Sequence, residues 1–167
     1  MIQNENLRRS SVTFTGHRFI PYDKREQLTA ALKAAIIEQY RKGYTNFFNG
    51  VAVGFDMLAA EVVLSMKKQY KDITLTAAVP FREQSAKFSF TDKRRYQYII
   101  SKADRVIILS ERYYEGCFLR RNDFMLSNSI EVIAYYDGHP KGGTYYTCQK
   151  AALAGLSIIN LCINSNN

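Results

Sequence analysis

The sequence has 167 residues, 47% hydrophobic and 23% charged, the balance of one ordinary globular domain with enough chain to bury a core. Three cysteines without C-x-x-C spacing and two histidines do not furnish a zinc cluster, and no apolar run reaches the length of a membrane span. The net charge is +8, and ten of the Lys and Arg residues fall between Arg82 and Arg121 against five acids. Such a segment attracts nucleotides or nucleic acid, or is simply a solvated helix face.

Cys117, Cys148 and Cys162 read as reduced thiols, and Met1 to Ser10 lacks the apolar core of a signal peptide. The expected setting is therefore the cytoplasm, with no membrane partner. Ser11 to Thr15 predicts a strand ending at Gly16. The loop Gly16-His17-Arg18-Phe19-Ile20-Pro21 follows. Asp23 and Glu26 have the spacing of a capping box, and Leu28, Ala31, Leu32, Ala35 and Ile36 predict a helix over Lys24 to Lys42. Gly43 marks its end.

Tyr44 to Phe48 predicts a second strand, and a glycine turn, Asn49-Gly50-Val51-Ala52-Val53-Gly54-Phe55-Asp56, leads to a helix reaching Tyr70. Ile73 to Val79 is the third strand, closed by Pro80, and Phe81 to Phe90 a long loop. Asp92 to Lys102 reads as a helix capped by Thr91 or Asp92. Arg105 to Leu109, apolar and β-branched, predicts a buried strand. Further on come a helix near Phe118 to Ser127, a strand over Glu131 to Tyr136, and a loop from Asp137 to Gly143. Thr144 is placed to cap a helix ending near Ala154, and Ser157 to Ile163 is the last strand.

Strands and helices alternate throughout, which predicts an α/β, doubly wound, mostly parallel sheet with helices on both faces, as one domain over 1–167 with polar tails at 1–10 and 164–167. Three glycine loops then fall at the carboxyl edge of the sheet, where such folds bind ligands. None carries G-x-G-x-x-G or a Walker sequence. Gly50 and Gly54 would allow close backbone approach of a ligand, so Gly54→Val should act on binding more than on stability. Gly142-Gly143-Thr144 would cradle a phosphate at a helix N-terminus. Arg18 offers a guanidinium fork and His17 a titratable imidazole. Asp56, in the first helical turn, suits ribose hydroxyls or a base edge, or is a cap. Glu61 is a site carboxylate if it faces inward. Arg121 and Asn122 either reach the pocket or lie on a wet helix.

The series Thr15-Gly16-His17-Arg18, Gly50-Val51-Ala52-Val53-Gly54-Phe55-Asp56 with Ala60-Glu61, Val79-Pro80-Phe81, Arg121-Asn122 and Gly142-Gly143-Thr144 resembles the YpsA-like group of the SLOG superfamily. The resemblance covers Val12 to about Leu161. It implies a Rossmann-like fold and a nucleotide-related ligand, with Gly16, Arg18, Gly50, Gly54, Asp56, Glu61, Gly142, Gly143 and Thr144 as binding positions. Phe55 and Pro80 enter by the same motifs. The superfamily includes Lonely Guy-type phosphoribohydrolases, lysine-decarboxylase-like proteins and the DNA-processing protein DprA. The phosphoribohydrolase pattern places glutamates just after its Gly-Thr, whereas Tyr145-Tyr146-Thr147-Cys148-Gln149 follow here.

The first functional expectation is therefore binding or sensing of a nucleotide-derived small molecule such as ADP-ribose, NAD or a modified nucleotide. The second is hydrolysis of a nucleotide N-glycosidic bond, with Glu61, Asp56 or His17 as catalytic candidates. The third is single-stranded nucleic-acid binding. No metal is expected, and a homo-oligomer is left open.

Overall fold

The structure is a computed structural model that describes residues 4–163. Residues 1–3 and 164–167, assigned to the polar tails, lie outside the described residues. The elements are α1 (Glu5–Arg8), β1 (Ser11–Gly16), a 3₁₀ turn (Tyr22–Lys24), α2 (Arg25–Arg41), β2 (Asn46–Asn49), α3 (Phe55–Met66), β3 (Thr74–Val79), α4 (Phe90–Lys102), β4 (Arg105–Ile108), α5 (Cys117–Ser127), β5 (Glu131–Tyr135), α6 (Gly143–Leu153) and β6 (Ser157–Asn160). Six parallel strands lie in the order β4-β3-β2-β1-β5-β6. The fold is a doubly wound, Rossmann-like α/β sandwich.

Because side chains alternate across a strand, each buried strand feeds two cores. Val12 and Phe14 of β1, Phe47 of β2, Leu75 and Ala77 of β3 and Ile133 of β5 join the large core. There they meet Leu28, Leu32 and Ile36 of α2 and Met57, Ala60 and Val63 of α3. Val132 and Ala134 pack instead with Leu126 of α5 and with Cys148 and Ala151 of α6 on the opposite face. Phe48 and Ala78 meet Met125 there. α3 lies between α2 and α4 and covers β1, β2 and β3. It is accordingly apolar on nearly every side, with eight buried residues.

Four local expectations change. The Asp23/Glu26 box does not form, because Pro21 leads into the 3₁₀ turn and Lys24 occupies the cap without a side-chain bond. α4 starts at Phe90 because the Ser89 side chain accepts a hydrogen bond from the Asp92 amide at 3.2 Å. α6 starts at Gly143 with Gly142 as its cap, so Thr144 lies inside the first turn. β4 is an edge strand and not buried; Val106 is 40% exposed. Its β-branched run fits a pleated surface, and that preference does not distinguish edge from centre. The polar N-terminus also holds the short helix α1, capped by the Asn4 side chain.

Leu32 is fully buried in the large core. Leu32→Ala is expected to lower unfolding free energy by roughly 2–5 kcal/mol, read by chemical denaturation. A loss below about 1 kcal/mol would mean that the α2 face is not packed as described.

Candidate functional site

β1 is followed by β2, β3 and β4 on one side, and β5 returns to the other side of β1. This reversal separates the loops after β1 and β5, and a crevice opens between them at the carboxyl edge. A cleft of about 280 Å³ lies there. Its walls include Gly16, His17 and Arg18 after β1, Ala52 and Asp56 after β2, Phe118, Arg121 and Asn122 of α5, and Lys141 to Thr144 at the start of α6.

His17 stitches three of these pieces together. Its amide donates to the Tyr135 carbonyl at 3.2 Å, and its own carbonyl accepts from the Phe55 amide at 3.1 Å. Its Nε2 lies 3.0 Å from the Asp137 amide nitrogen. The Asp137 carboxylate is 3.1 Å from the same nitrogen. His17 is therefore committed to holding the β1 and β5 loops in register.

The turn after β2 is set by Asn49, which is fully buried. Its Oδ1 accepts from the Val51 amide at 2.7 Å and its Nδ2 donates to the Asp56 carbonyl at 2.8 Å. These bonds hold Val51 at φ +51°, a conformation that a β-branched residue rarely takes. Gly54, at φ +87°, lies against the Arg18 carbonyl: a Cβ there would sit 2.2 Å from its oxygen. At Gly50 an added Cβ would meet the Arg121 guanidinium at 2.6 Å, and at Gly16 the Phe55 ring at 2.4 Å. At Gly50 and Gly54 the close approach is by the protein's own atoms rather than by a ligand.

Arg121 is buried, at 4% exposure. Its Nη1 donates to the Gly50 carbonyl at 2.6 Å and, more weakly, to that of Ala78 at 3.4 Å. Its Nε donates to Asn122 Oδ1 at 3.1 Å. Asp56 is 7% exposed; its Oδ2 has a long bond from the Ala52 amide at 3.4 Å, and its Oδ1 has no hydrogen-bond partner. Burial pushes the Asp56 carboxyl up to about 6, with Arg121, the Ala52 amide and Arg18 pulling the other way. Burial likewise pulls the Arg121 guanidinium down, opposed by Asp56.

Arg18 is exposed, 5.4 Å above the Phe118 ring, and makes no hydrogen bond or ion pair with a described residue. The first amides of α6 and the Thr144 hydroxyl are likewise without bonds among the described residues. Such a helix N-terminus carries partial positive charge. Together with Lys141 these groups form a cationic rim around one buried carboxyl.

The sequence-derived set divides. Gly16, His17, Arg18, Asp56, Arg121, Asn122, Gly142, Gly143 and Thr144 come together around the cleft. Gly50, Gly54, Phe55, Glu61 and Pro80 do not line it. Phe55 is a core residue, stacked on Tyr135 at 5.8 Å. Pro80 is buried, next after the end of β3. Glu61 lies five residues past Asp56, about 140° around the helix. It faces α4, where the Arg95 guanidinium binds it. Sequence reasoning passed over Asn49, Ala52, Phe118 and Lys141. Lys141 was legible as a cation beside two glycines; Phe118 carried no signal.

A family model, the YspA SLOG family, matches residues 19–156. The chain belongs to this family. Among curated proteins it is similar to a UPF0398 protein from Bacillus cereus strain B4264, 32% identical over 105 residues. A UPF0398 protein from Bacillus thuringiensis strain Al Hakam is 31% identical over the same length. Each match covers 62% of this chain and 57% of the relative, so the chain matches little more than half the length of either. The fold is similar to that of DNA processing protein A from Streptococcus pneumoniae, with TM-score 0.65 and 18% identity over 91% of this chain and 50% of that one. For the Helicobacter pylori protein, whose structure concerns its single-stranded DNA binding mode, the TM-score is 0.65 at 18% identity, over 94% of this chain and 67% of that one. No described helix is long and apolar enough to cross a membrane.

A carboxyl held at about 6 in the fold, against 3.8 as its ordinary value, makes stability fall as pH rises through that window. Relative to wild type, Asp56→Asn is therefore expected to gain up to about 3 kcal/mol between pH 4 and pH 7, measured as the change in the stability difference. A pH-independent difference would place the carboxyl in water. Gly54→Val is expected to cost roughly 2–5 kcal/mol, because it adds strain at positive φ and a clash with Arg18. This reverses the expectation drawn from sequence; thermal melts showing a near-native variant would restore it.

Proposed function

We propose that the cleft binds a phosphate-bearing, nucleotide-derived small molecule. The observation that carries this reading is Asp56 Oδ1, a buried carboxyl oxygen without a protein partner in a wall otherwise rimmed by cations and free amides. Buried polar atoms are nearly always bonded, so an orphan beside an open cleft is accounted for by a ligand donor. The first turn of α6, the Thr144 hydroxyl, Arg18 and Lys141 suit the phosphate. Asp56 would repel a phosphate and suits a ribose hydroxyl.

The hydrolytic alternative now rests on Asp56, the single carboxylate lining the cleft, and on His17, which lines it too. A carboxyl titrating at about 6 is suited to proton transfer near neutral pH. Glu61, bound to Arg95, is out of reach of the chemistry.

Calorimetry with AMP, ADP-ribose and NAD tests the reading. At least one is expected to bind below about 1 mM, and Arg18→Ala and Lys141→Ala to weaken it roughly tenfold or more each. No binding across the panel, together with salt-sensitive retention of a single-stranded oligonucleotide, would move the function to nucleic acid. Release of free base by wild type but not by Asp56→Asn would establish the hydrolytic alternative.

A further inference from the structure

A second concavity of about 760 Å³ adjoins the polar cleft and shares Arg18, Ala52 and Phe118 with it. Its character is different. Phe81, Tyr113 and Phe118 meet edge-on or tilted, with Phe81 5.5 Å from Tyr113 and 6.0 Å from Phe118, and Tyr113 6.3 Å from Phe118. Tyr113 is 62% exposed, a large aromatic surface left facing water. Four charged residues also line the bay, Arg18, Glu83, Lys87 and Asp92, and Asp92 is paired with Arg95 at 3.4 Å.

Gln84 is the second observation. It lines the bay and is only 5% exposed. Its Nε2 donates to the Gly50 carbonyl at 3.1 Å, and a carbonyl partner fixes which end of the amide is nitrogen. That leaves Oε1 as a buried acceptor with no partner. The bay therefore combines aromatic faces with one unsatisfied acceptor, and shares Arg18 with the cleft that holds the phosphate-suited rim.

We propose that the bay walled by Phe81, Tyr113 and Phe118 is the base subsite, selecting an amino-bearing heteroaromatic base whose amino group donates to Gln84 Oε1. The inference rests on the phosphate-binding reading of the neighbouring cleft and names the ligand class: a nucleotide with an adenine-like base, rather than a bare sugar phosphate. Stacking supplies affinity to any flat ring, and the Gln84 acceptor supplies the choice among them. Arg18, shared by both concavities, stands where phosphate and base parts of one molecule would join.

Calorimetry with ribose 5-phosphate, AMP and purine riboside 5′-monophosphate, which lacks the amino group, tests this. AMP is expected to bind about tenfold or more tighter than ribose 5-phosphate, since stacking on an aromatic is worth roughly that much. The deaminated analogue is expected to be about tenfold weaker than AMP, the usual size of one hydrogen bond to a buried group. Gln84→Met should erase that difference and Tyr113→Ala should weaken both purine nucleotides alike, with ribose 5-phosphate unchanged in either variant. If AMP binds no tighter than ribose 5-phosphate, or if wild type does not distinguish AMP from its deaminated analogue, the base subsite is refuted while the phosphate site stands. If ribose 5-phosphate and AMP both fail to bind, both readings fall. The wild-type comparisons decide the matter even if Gln84→Met does not fold.

Discussion

Arg121 reaches from α5, on one face of the sheet, over the carboxyl ends of β2 and β3, where it donates to Gly50 and Ala78 carbonyls. A buried guanidinium is tolerated only when its donors and charge are answered. Backbone carbonyls and Asn122 answer the donors, and Asp56 answers part of the charge without a direct salt bridge. Much of the site follows from this one placement. Gly50 has to lack a side chain because the guanidinium lies where a Cβ would be. Phe118, one turn earlier on α5, is brought under both Arg121 and Arg18. Asp56 is drawn to the cleft wall although burial opposes its ionisation.

The carboxyl edge is thus built in two grades. One grade is internal and closed: Asn49 organising the Val51 turn, His17 joining two loops, Arg121 tying α5 to the turn after β2 and to β3. The other grade is left without hydrogen-bond partners among the described residues: the exposed Arg18 side chain, the first α6 amides, and the buried Asp56 Oδ1 and Gln84 Oε1. Fixing the first grade by buried hydrogen bonds holds the second grade on loops whose conformation is already set. A similar fold occurs in DNA processing protein A at 18% identity, and a shared fold leaves the choice of ligand to the site. The match spans 57% of the length of its Bacillus relatives.

The sequence by itself determined the architecture. Its alternation of β-branched runs with amphipathic segments demanded a parallel sheet covered on both faces, and its glycine loops fell at the edge where such sheets bind ligands. Nine of the singled-out residues duly meet at one cleft, because topology brings loops after neighbouring strands together whatever their separation along the chain. Tertiary structure alone decided which atoms remain free. Periodicity places Glu61 on a helix flank, and only the packing of α4 puts Arg95 opposite it. A glycine signals close approach, and only the fold shows that the approaching group at Gly54 is the Arg18 backbone. Nothing local distinguishes Gln84 within the Phe81 to Phe90 loop, and only burial in the fold leaves its Oε1 without a partner. Local pattern fixes conformation, which is short-range. Whether a charge or acceptor is satisfied depends on neighbours distant in the chain, and that is what separates a site residue from a scaffold residue here.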